Sequence, residues 1–361
     1  MASSYLSILE KIFKNLNNKL KLIKNLILTI RTKGVVATFF AIKGFFKIFF
    51  INFFSSSSLI RTKIFDYQMY LDPKDKGISR TLLLFGEREL DHKIILEKVL
   101  KKNMKIFDIG ANIGYYVLME SILIGNKGKI LAIEPVPKNM KILKKNLKLN
   151  NNVITETWQT AISNKDSVKK FKGLEKFFLS SHSNLGRLLS QQELNSNISN
   201  YKKKKENAKM NYFVSITMDI KDIINKTFLP DFIRMDVEGS ETDILNDLIK
   251  IKLKKYPVIC FETHTSRYHK NLKVKNKTRN ISKMEKTLRK MFKKGYKIKF
   301  ASTSYQKGSD QLKELGYKPL HTNIRTDDVV REIYKDLSEK DAINLICYKG
   351  GLRTILMSCD K

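Results

Sequence analysis

Cysteine is scarce in this chain: three in 361 residues, Cys260, Cys347 and Cys359, none in a C-x-x-C pair. An odd count without paired spacing excludes a disulfide framework and a structural zinc ribbon. It points to a reducing compartment for the folded body. Acids are also few, 35 Asp and Glu against 69 Lys and Arg, for a formal charge of +34. That surplus raises nucleic acid and anionic membranes as partners. A composition rich in Lys, Asn, Ile and Phe, the residues of AT-rich codons, explains much of it equally well as a solvated face. No internal repeat and no P-loop occur. Histidines 92, 182, 269 and 321 are too scattered to form a ligand set. What is present, 42% apolar and 10% aromatic residues, excludes a wholly disordered chain.

Residues 1–60 differ in kind from the rest. Met1 to Lys63 holds eleven Lys or Arg and one acid, Glu10. Gly34 to Phe54 is a Phe- and Ile-rich run that ends at Ser55 to Ser58. It is long enough to span a bilayer, but Lys43 and Lys47 would then each cost about 2.5–3.5 kcal/mol at the centre. Lying in the interface avoids this, with phenylalanines in the acyl boundary and lysines on anionic head groups. A secretory signal lacks its small-residue cleavage site and would start too late. A helix packed on the protein's own core is the remaining alternative. The expectation is a peripheral, membrane-associated helix on the cytoplasmic face.

From residue 61 to 350 short apolar runs alternate with helical ones, which predicts a parallel sheet with crossover helices. Strands are expected at Lys105 to Phe107, Lys129 to Pro135, Phe213 to Met218, Pro230 to Gly239, Val258 to His264, Gly295 to Phe300 and Asn344 to Lys349. Helices are expected at Tyr115 to Ile124, Lys138 to Leu149, Glu241 to Leu248 and Met284 to Phe292. Ser180 to Asn211 and residues about 301–340 read as insertions, and 351–361 as a C-terminal tail.

The strongest motif is DIGANIG, Asp108 to Gly114, between a strand and a helix. Gly110 and Gly114 permit a tight turn and close approach to a ligand, and the helix start offers free N–H groups. Twenty residues beyond Gly114, Glu134 ends the next strand, where an acid accepts hydrogen bonds from ribose hydroxyls. The spacing is G-x-x-x-G, not the G-x-G-x-x-G of a pyrophosphate cradle. It suits S-adenosylmethionine, whose tail needs an acid and backbone groups.

These residues carry a resemblance. DIGANIGYY, AIEP, TAIS at Thr160 to Ser163, TMD at Thr217 to Asp219, RMDVEGSE at Arg234 to Glu241 and FETH at Phe261 to His264 resemble the FkbM family of class I S-adenosylmethionine-dependent methyltransferases. The match runs from about Tyr70 to Lys349, with Glu89 fitting the family's lead-in acid. Arg234 stands where the family often has Lys, and Asn103 where Gly is usual. The resemblance implies an α/β, Rossmann-like fold: a mostly parallel seven-stranded sheet with helices on both faces and one antiparallel strand. It implies methyl transfer, generally to a hydroxyl oxygen, in glycan or secondary-metabolite pathways.

The expected cofactor contacts are Asp108, Gly110, Ala111, Asn112, Gly114 and Glu134, with Thr160 and Ala161 at the adenine by resemblance. Trp158 is expected to pack rather than stack on the ligand. Asp236, Glu238 and His264 fall at strand ends, where open α/β sheets bind ligands, and are the expected catalytic residues. Asp236 and Glu238 would serve as base and substrate clamp, or jointly hold a divalent cation. Alternatively Asp236 caps the following helix. Two other functions compete: an RNA or DNA methyltransferase, disfavoured because DVEG stands where Asp/Asn-Pro-Pro-aromatic is usual, and a non-catalytic membrane-surface binding protein on this scaffold. The acceptor class expected is a small molecule, a glycan or a lipid-linked sugar.

Overall fold

The computed structural model describes residues 59–178, 187–188, 212–263, 274–326 and 329–359, with a few isolated positions between residues 24 and 46. The basic Phe-rich segment, most of the 180–211 insertion and His264 therefore lie outside the described residues. Among the described residues no helix is long and apolar enough to cross a membrane.

A hairpin of β1 (Ile60–Ile64) and β2 (Tyr67–Leu71) leads to α1 (Ile78–Phe85) and α2 (Leu90–Val99). An alternating unit follows: β3 (Lys105–Ile109), α3 (Tyr115–Ile124), β4 (Lys129–Ile133), α4 (Pro137–Leu149) and β5 (Thr155–Trp158). Next come β6 (Ala161–Ile162), α5 (Lys165–Lys170), β7 (Leu174–Phe178), β8 (Arg187–Leu188) and β9 (Tyr212–Met218). The alternation resumes with α6 (Ile220–Lys226), β10 (Phe232–Met235), α7 (Glu241–Leu248), β11 (Val258–Glu262), α8 (Val274–Lys293) and β12 (Tyr296–Thr303). The chain continues through α9 (Gln306–Glu314), β13 (His321–Thr326), β14 (Val329–Lys335), α10 (Glu339–Ile343) and β15 (Leu352–Cys359).

Local chemistry sets several boundaries. Pro137 opens α4, where its missing N–H is harmless. The Asp219 carboxylate accepts from Asp222 N at 2.9 Å and starts α6.

The main sheet has the order β13-β14-β12-β15-β11-β10-β3-β4-β5. Strands β5, β4, β3, β10 and β11 pair in parallel. Strand β15 is antiparallel to both β11 and β12, so β12 runs with the parallel set. The expected α/β, mostly parallel architecture is present. It has nine strands rather than seven, because the polar stretch between residues 301 and 340 supplies a hairpin, β13–β14, on the edge of β12. A covered edge cannot recruit foreign strands.

The chain end also differs from expectation. Asn344–Lys349, expected as a strand, is a π-helical turn continuing α10. The supposed tail instead holds β15, the central antiparallel strand, with Leu352, Ile355, Leu356 and Met357 buried. Ser338 accepts from Asp341 N at 3.1 Å and begins the helix. Gly350 and Gly351, with φ of 71° and 112°, end it.

Central strands are apolar on both faces, as a sheet covered on both sides requires. Phe107, Leu131, Ile133, Ile233 and Met235 join the core packed by α6, α7 and α8. Ile106, Ile130, Ala132 and Phe232 join the opposite core with α1 to α4. Strands β6, β9, β7 and β8 form a separate four-stranded sheet. This places strands β3, β4 and β10 side by side with their carboxyl ends opening on one pocket.

Candidate active site

The pocket, about 800 Å³ including its opening to solvent, gathers the loop after β3, the end of β4, the turn after β5 and the end of β10. Gly110, Ala111, Asn112, Glu134, Thr160, Ala161, Asp236 and Glu238 all line it. Thus eight of the expected site residues, from four separate segments, meet on one wall. Asp108 is fully buried and Gly114 packs away; neither is among the lining residues. Trp158 sits on β5 against the core, its indole N–H donating to Glu156 at 2.6 Å.

The two motif glycines serve chain packing before any ligand. Gly110 has φ of +83°, and a Cβ there would stand 2.1 Å from the Asp236 carbonyl oxygen. So the cofactor-side loop and the end of β10 touch backbone to backbone. Gly114 has φ of +89°, and its Cβ would meet Leu143 Cδ1 of α4 at 2.6 Å. The expected close approach to a ligand is therefore replaced at Gly114 by close approach to a helix. Asn112, at φ of 51°, gives the loop another left-handed residue, a conformation Asn tolerates.

Glu134 is the anchor of this loop. Its Oε2 accepts from Asn112 N at 2.9 Å; its Oε1 accepts from Val136 N at 2.9 Å and Asn139 Nδ2 at 3.2 Å. A carboxylate offers about four acceptor positions, so Oε2 keeps room for a further donor. Burial raises the carboxyl to about 7, more than its backbone and Asn139 hydrogen bonds lower it.

Beneath the pocket lies a charged core that the sequence reading largely missed. The Arg234 guanidinium is buried, donates to Asp108 Oδ1 at 2.8 Å, reaches Asp236 Oδ2 at 3.5 Å and lies 3.8 Å from the centroid of the Tyr116 ring. Burial opposes its charge, but Asp108 and Asp236 raise its pKa above the ordinary arginine value. Glu120, fully buried on α3, has no hydrogen-bond partner for either carboxyl oxygen among the described residues. Burial first, then the Asp108 charge, drives its pKa well up.

A second knot closes the wall. Arg88 donates from Nε to Glu89 Oε1 at 2.9 Å, and Arg353 bridges Glu89 at 2.7 Å and Glu262 at 2.9 Å. Tyr116 Oη donates to Glu89 Oε2, and Tyr115 Oη donates to the Arg88 carbonyl at 2.6 Å. Burial pushes Glu89 up, but Arg88 and Arg353 hold it well below the usual carboxylate range. The signal in the sequence was the Tyr115–Tyr116 pair directly after the glycine motif, which pins the Arg88–Glu89 segment to the site.

At the end of β10, Glu238 has φ of 52° and Gly239 of 114°. The Glu241 carboxylate holds this turn by accepting from Val237 N at 3.3 Å and Gly239 N at 2.9 Å. The cap position of α7 is Ser240, not Asp236, which leaves Asp236 on the pocket wall. Among the described residues no group of three or more His, Cys, Asp or Glu side chains could hold a metal ion.

A family model described as Methyltransferase FkbM domain matches residues 108–298, more than half of the chain. No curated protein matches it. Among solved structures, an FkbM methyltransferase from Methylobacillus flagellatus KT is 16% identical over 51% of this chain and 42% of that one, with a TM-score of 0.29. An O-methyltransferase from Bacillus cereus in complex with SAH is 10% identical over 74% and 78%, TM-score 0.34. A precorrin-6y C5,15-methyltransferase from Geobacter metallireducens GS-15 is 12% identical over 74% and 85%, TM-score 0.32. Likenesses this remote say nothing of substrate.

Proposed function

The chain belongs to the FkbM methyltransferase family and is an S-adenosylmethionine-dependent methyltransferase, and on that premise we propose that it methylates a hydroxyl oxygen of a glycan, a lipid-linked sugar or a secondary metabolite. The observation that carries this is the meeting of two acids from the end of β10, Asp236 and Glu238, with the Glu134 wall in one pocket. The residues suit the cofactor: the loop from Gly110 to Asn112 lines the pocket, its N–H groups held by the Ile133 carbonyl and the Glu134 carboxylate, and Glu134 has an acceptor position left for a ribose hydroxyl. Thr160 and Ala161 would border the adenine.

S-adenosylmethionine brings a methyl group on a sulfonium, an electrophile that needs only an aligned nucleophile. The protein's part is alignment and proton removal. Asp236 is the base of this reading: it accepts the hydroxyl proton as the oxygen attacks. Arg234, held by Asp108 and stacked on Tyr116, fixes where the Asp236 carboxylate points. Glu238 offers an acceptor to a neighbouring hydroxyl of the acceptor, and His264 is a further candidate base from the end of β11. The N-terminal segment would hold the enzyme on an anionic cytoplasmic membrane face.

The test pairs two measurements. Glycan and lipid fractions from cells with and without the protein are compared by mass spectrometry for a gain of one CH2 per molecule, and the methylated atom is located by fragmentation. Methyl on oxygen supports the reading. Methyl on a nucleobase nitrogen, or transfer to total RNA instead, would refute it.

A further inference from the structure

The four-stranded sheet beside the pocket carries exposed aliphatic side chains on its outer face, where a sheet face open to water is ordinarily polar. Along β9 the side chains alternate: Ser215 and Thr217 are buried, while Val214 and Ile216 are 56% and 58% exposed. On the neighbouring β7, Phe177 is buried and Leu174 is 55% exposed. Register puts Leu174 directly opposite Ile216, and Lys176 opposite Val214. Strand β9 pairs with β7 along Tyr212 to Ile216 and with β6 at Thr217 and Met218, so Val214 and Ile216 stand on a paired strand rather than a frayed end. Scattered exposed aliphatics need no explanation, but three in register on one face do.

The surroundings of this face are basic. Lys165, Lys169, Lys170, Lys172 and Lys176 are all exposed, on α5 and the start of β7. Within residues 165–176 only Asp166 and Glu175 oppose them, and the Glu175 carboxylate is engaged by Thr217 Oγ1 at 3.2 Å. Lys176 beside Val214 on the sheet, with further exposed lysines just before it in the chain, complements a bilayer carrying anionic head groups over an acyl interior. It does not complement a nucleic acid, whose phosphates and bases call for lysines interleaved with aromatic platforms.

We propose that the outer face of this sheet, centred on Leu174, Val214 and Ile216, seats on an anionic phospholipid bilayer. The contact is made by the folded body and is separate from the N-terminal segment. It stands without the transfer reaction, but it orients that reaction. The opposite face of the same strands presents Phe177 and Leu188 to the pocket, so docking brings the site to the lipid surface, where a lipid-borne acceptor would be met.

The test uses the full-length chain with an environment-sensitive fluorophore on Ile216→Cys in a Cys359→Ser background; Cys260 and Cys347 are buried. A control carries the probe on Val153→Cys, 88% exposed and outside this sheet. Vesicles are phosphatidylcholine with or without phosphatidylglycerol. The expected result is a blue shift at position 216, quenched by spin-labelled acyl chains, on phosphatidylglycerol vesicles only. It should be lost near 1 M salt, where charges are screened beyond about 3 Å, and absent at position 153. Val214→Asp with Ile216→Asp should lower the bound fraction severalfold while calorimetric binding of S-adenosylhomocysteine is unchanged. A probe that stays in water while the protein sediments with vesicles overturns the proposal, because other parts of the chain then carry the binding. So does a probe already shielded without lipid, which would mean that the chain itself or a second copy covers the face, and so does an equal shift on neutral vesicles. Loss of S-adenosylhomocysteine binding in the unsubstituted protein would instead strike at the cofactor reading and leave this contact standing.

Discussion

Glu134 makes cofactor affinity depend on pH in the physiological range. Burial raises its carboxyl to about 7 in the ligand-free protein, yet a carboxylate holds hydroxyl donors best when ionised. Cofactor binding must therefore expel a proton wherever Glu134 is protonated. About nine-tenths of the group is ionised at pH 8 and about one-tenth at pH 6, so the Kd should rise about tenfold across that interval, about 1.4 kcal/mol. Titration calorimetry with S-adenosylhomocysteine reads this directly, and repeating it in buffers of different ionisation heat counts the protons released, about half of one at pH 7. Glu134→Gln cannot titrate, so its affinity should be weaker at pH 8 and nearly flat down to pH 6. Stability carries the opposite sign. A carboxyl whose folded pKa lies above its ordinary value of 4.5 contributes stability that is complete below that value and is lost as pH rises through about 7. The gain in Tm on adding cofactor should accordingly be larger at pH 8 than at pH 6. An identical pH slope in wild type and Glu134→Gln would assign the titration to another group and refute the reasoning.

Other substitutions separate the roles of neighbouring residues. Asp236→Asn should lower the transfer rate by about 10²- to 10⁴-fold while leaving S-adenosylhomocysteine affinity within a few-fold, measured by single-turnover transfer and calorimetry. Arg234→Met strands the buried Asp108 carboxylate and should cost about 3–5 kcal/mol in urea unfolding, with Arg234→Lys losing less because a charge is kept. Gly110→Ala drives a Cβ to within 2.1 Å of the Asp236 carbonyl oxygen at a φ of +83°; it should destabilise the fold by about 1–3 kcal/mol and weaken cofactor binding, both read by thermal melts with and without ligand.

Much of the α/β frame was legible because its periodicity is strong and local. Helices α3 and α7 begin and end where the apolar spacing places them, and β3, β4, β10 and β11 are short apolar runs bounded by turns. The chain end misled for a physical reason. NLICYK holds a four-residue apolar run, Leu345 to Tyr348, and such a run does not distinguish a buried strand from a buried helix. The deciding signals were nearby: a Ser338–Asp341 cap ahead of it and Gly350–Gly351 behind it, which together mark a helix and its stop. Once that stop is recognised, LRTILMSC reads as a short strand-length run, buried on both faces over Thr354 to Met357, and the pairing of β15 with β11 and β12 follows. Strand β9 was expected at Phe213 to Met218 and is present, but its partners in the small sheet and the β13–β14 hairpin were beyond reach, since their pairing is set by which sheet edges and which pocket they cover, not by their own pattern.

The site divides along the same line. Residues in the glycine loop and at strand ends were readable, because strand–turn–helix grammar puts backbone and acids at the carboxyl edge whatever the ligand. The buried charges below were not, since their meaning lies in three-dimensional pairing. Arg234 shows why its departure from lysine is consistent with the site. A lysine could neutralise Asp108 as a point charge, but only a planar guanidinium can reach Asp108, approach Asp236 and lie on the Tyr116 face together. The 2.8 Å contact ties Arg234 to Asp108. Asp236 Oδ2 stands farther from Arg234, at 3.5 Å. Asp236 and Arg234 both line the pocket, whereas Asp108 is fully buried below it. A carboxylate steered by an arginine yet not fully claimed by it can take a proton from an incoming hydroxyl, which is the property the proposed transfer asks of it.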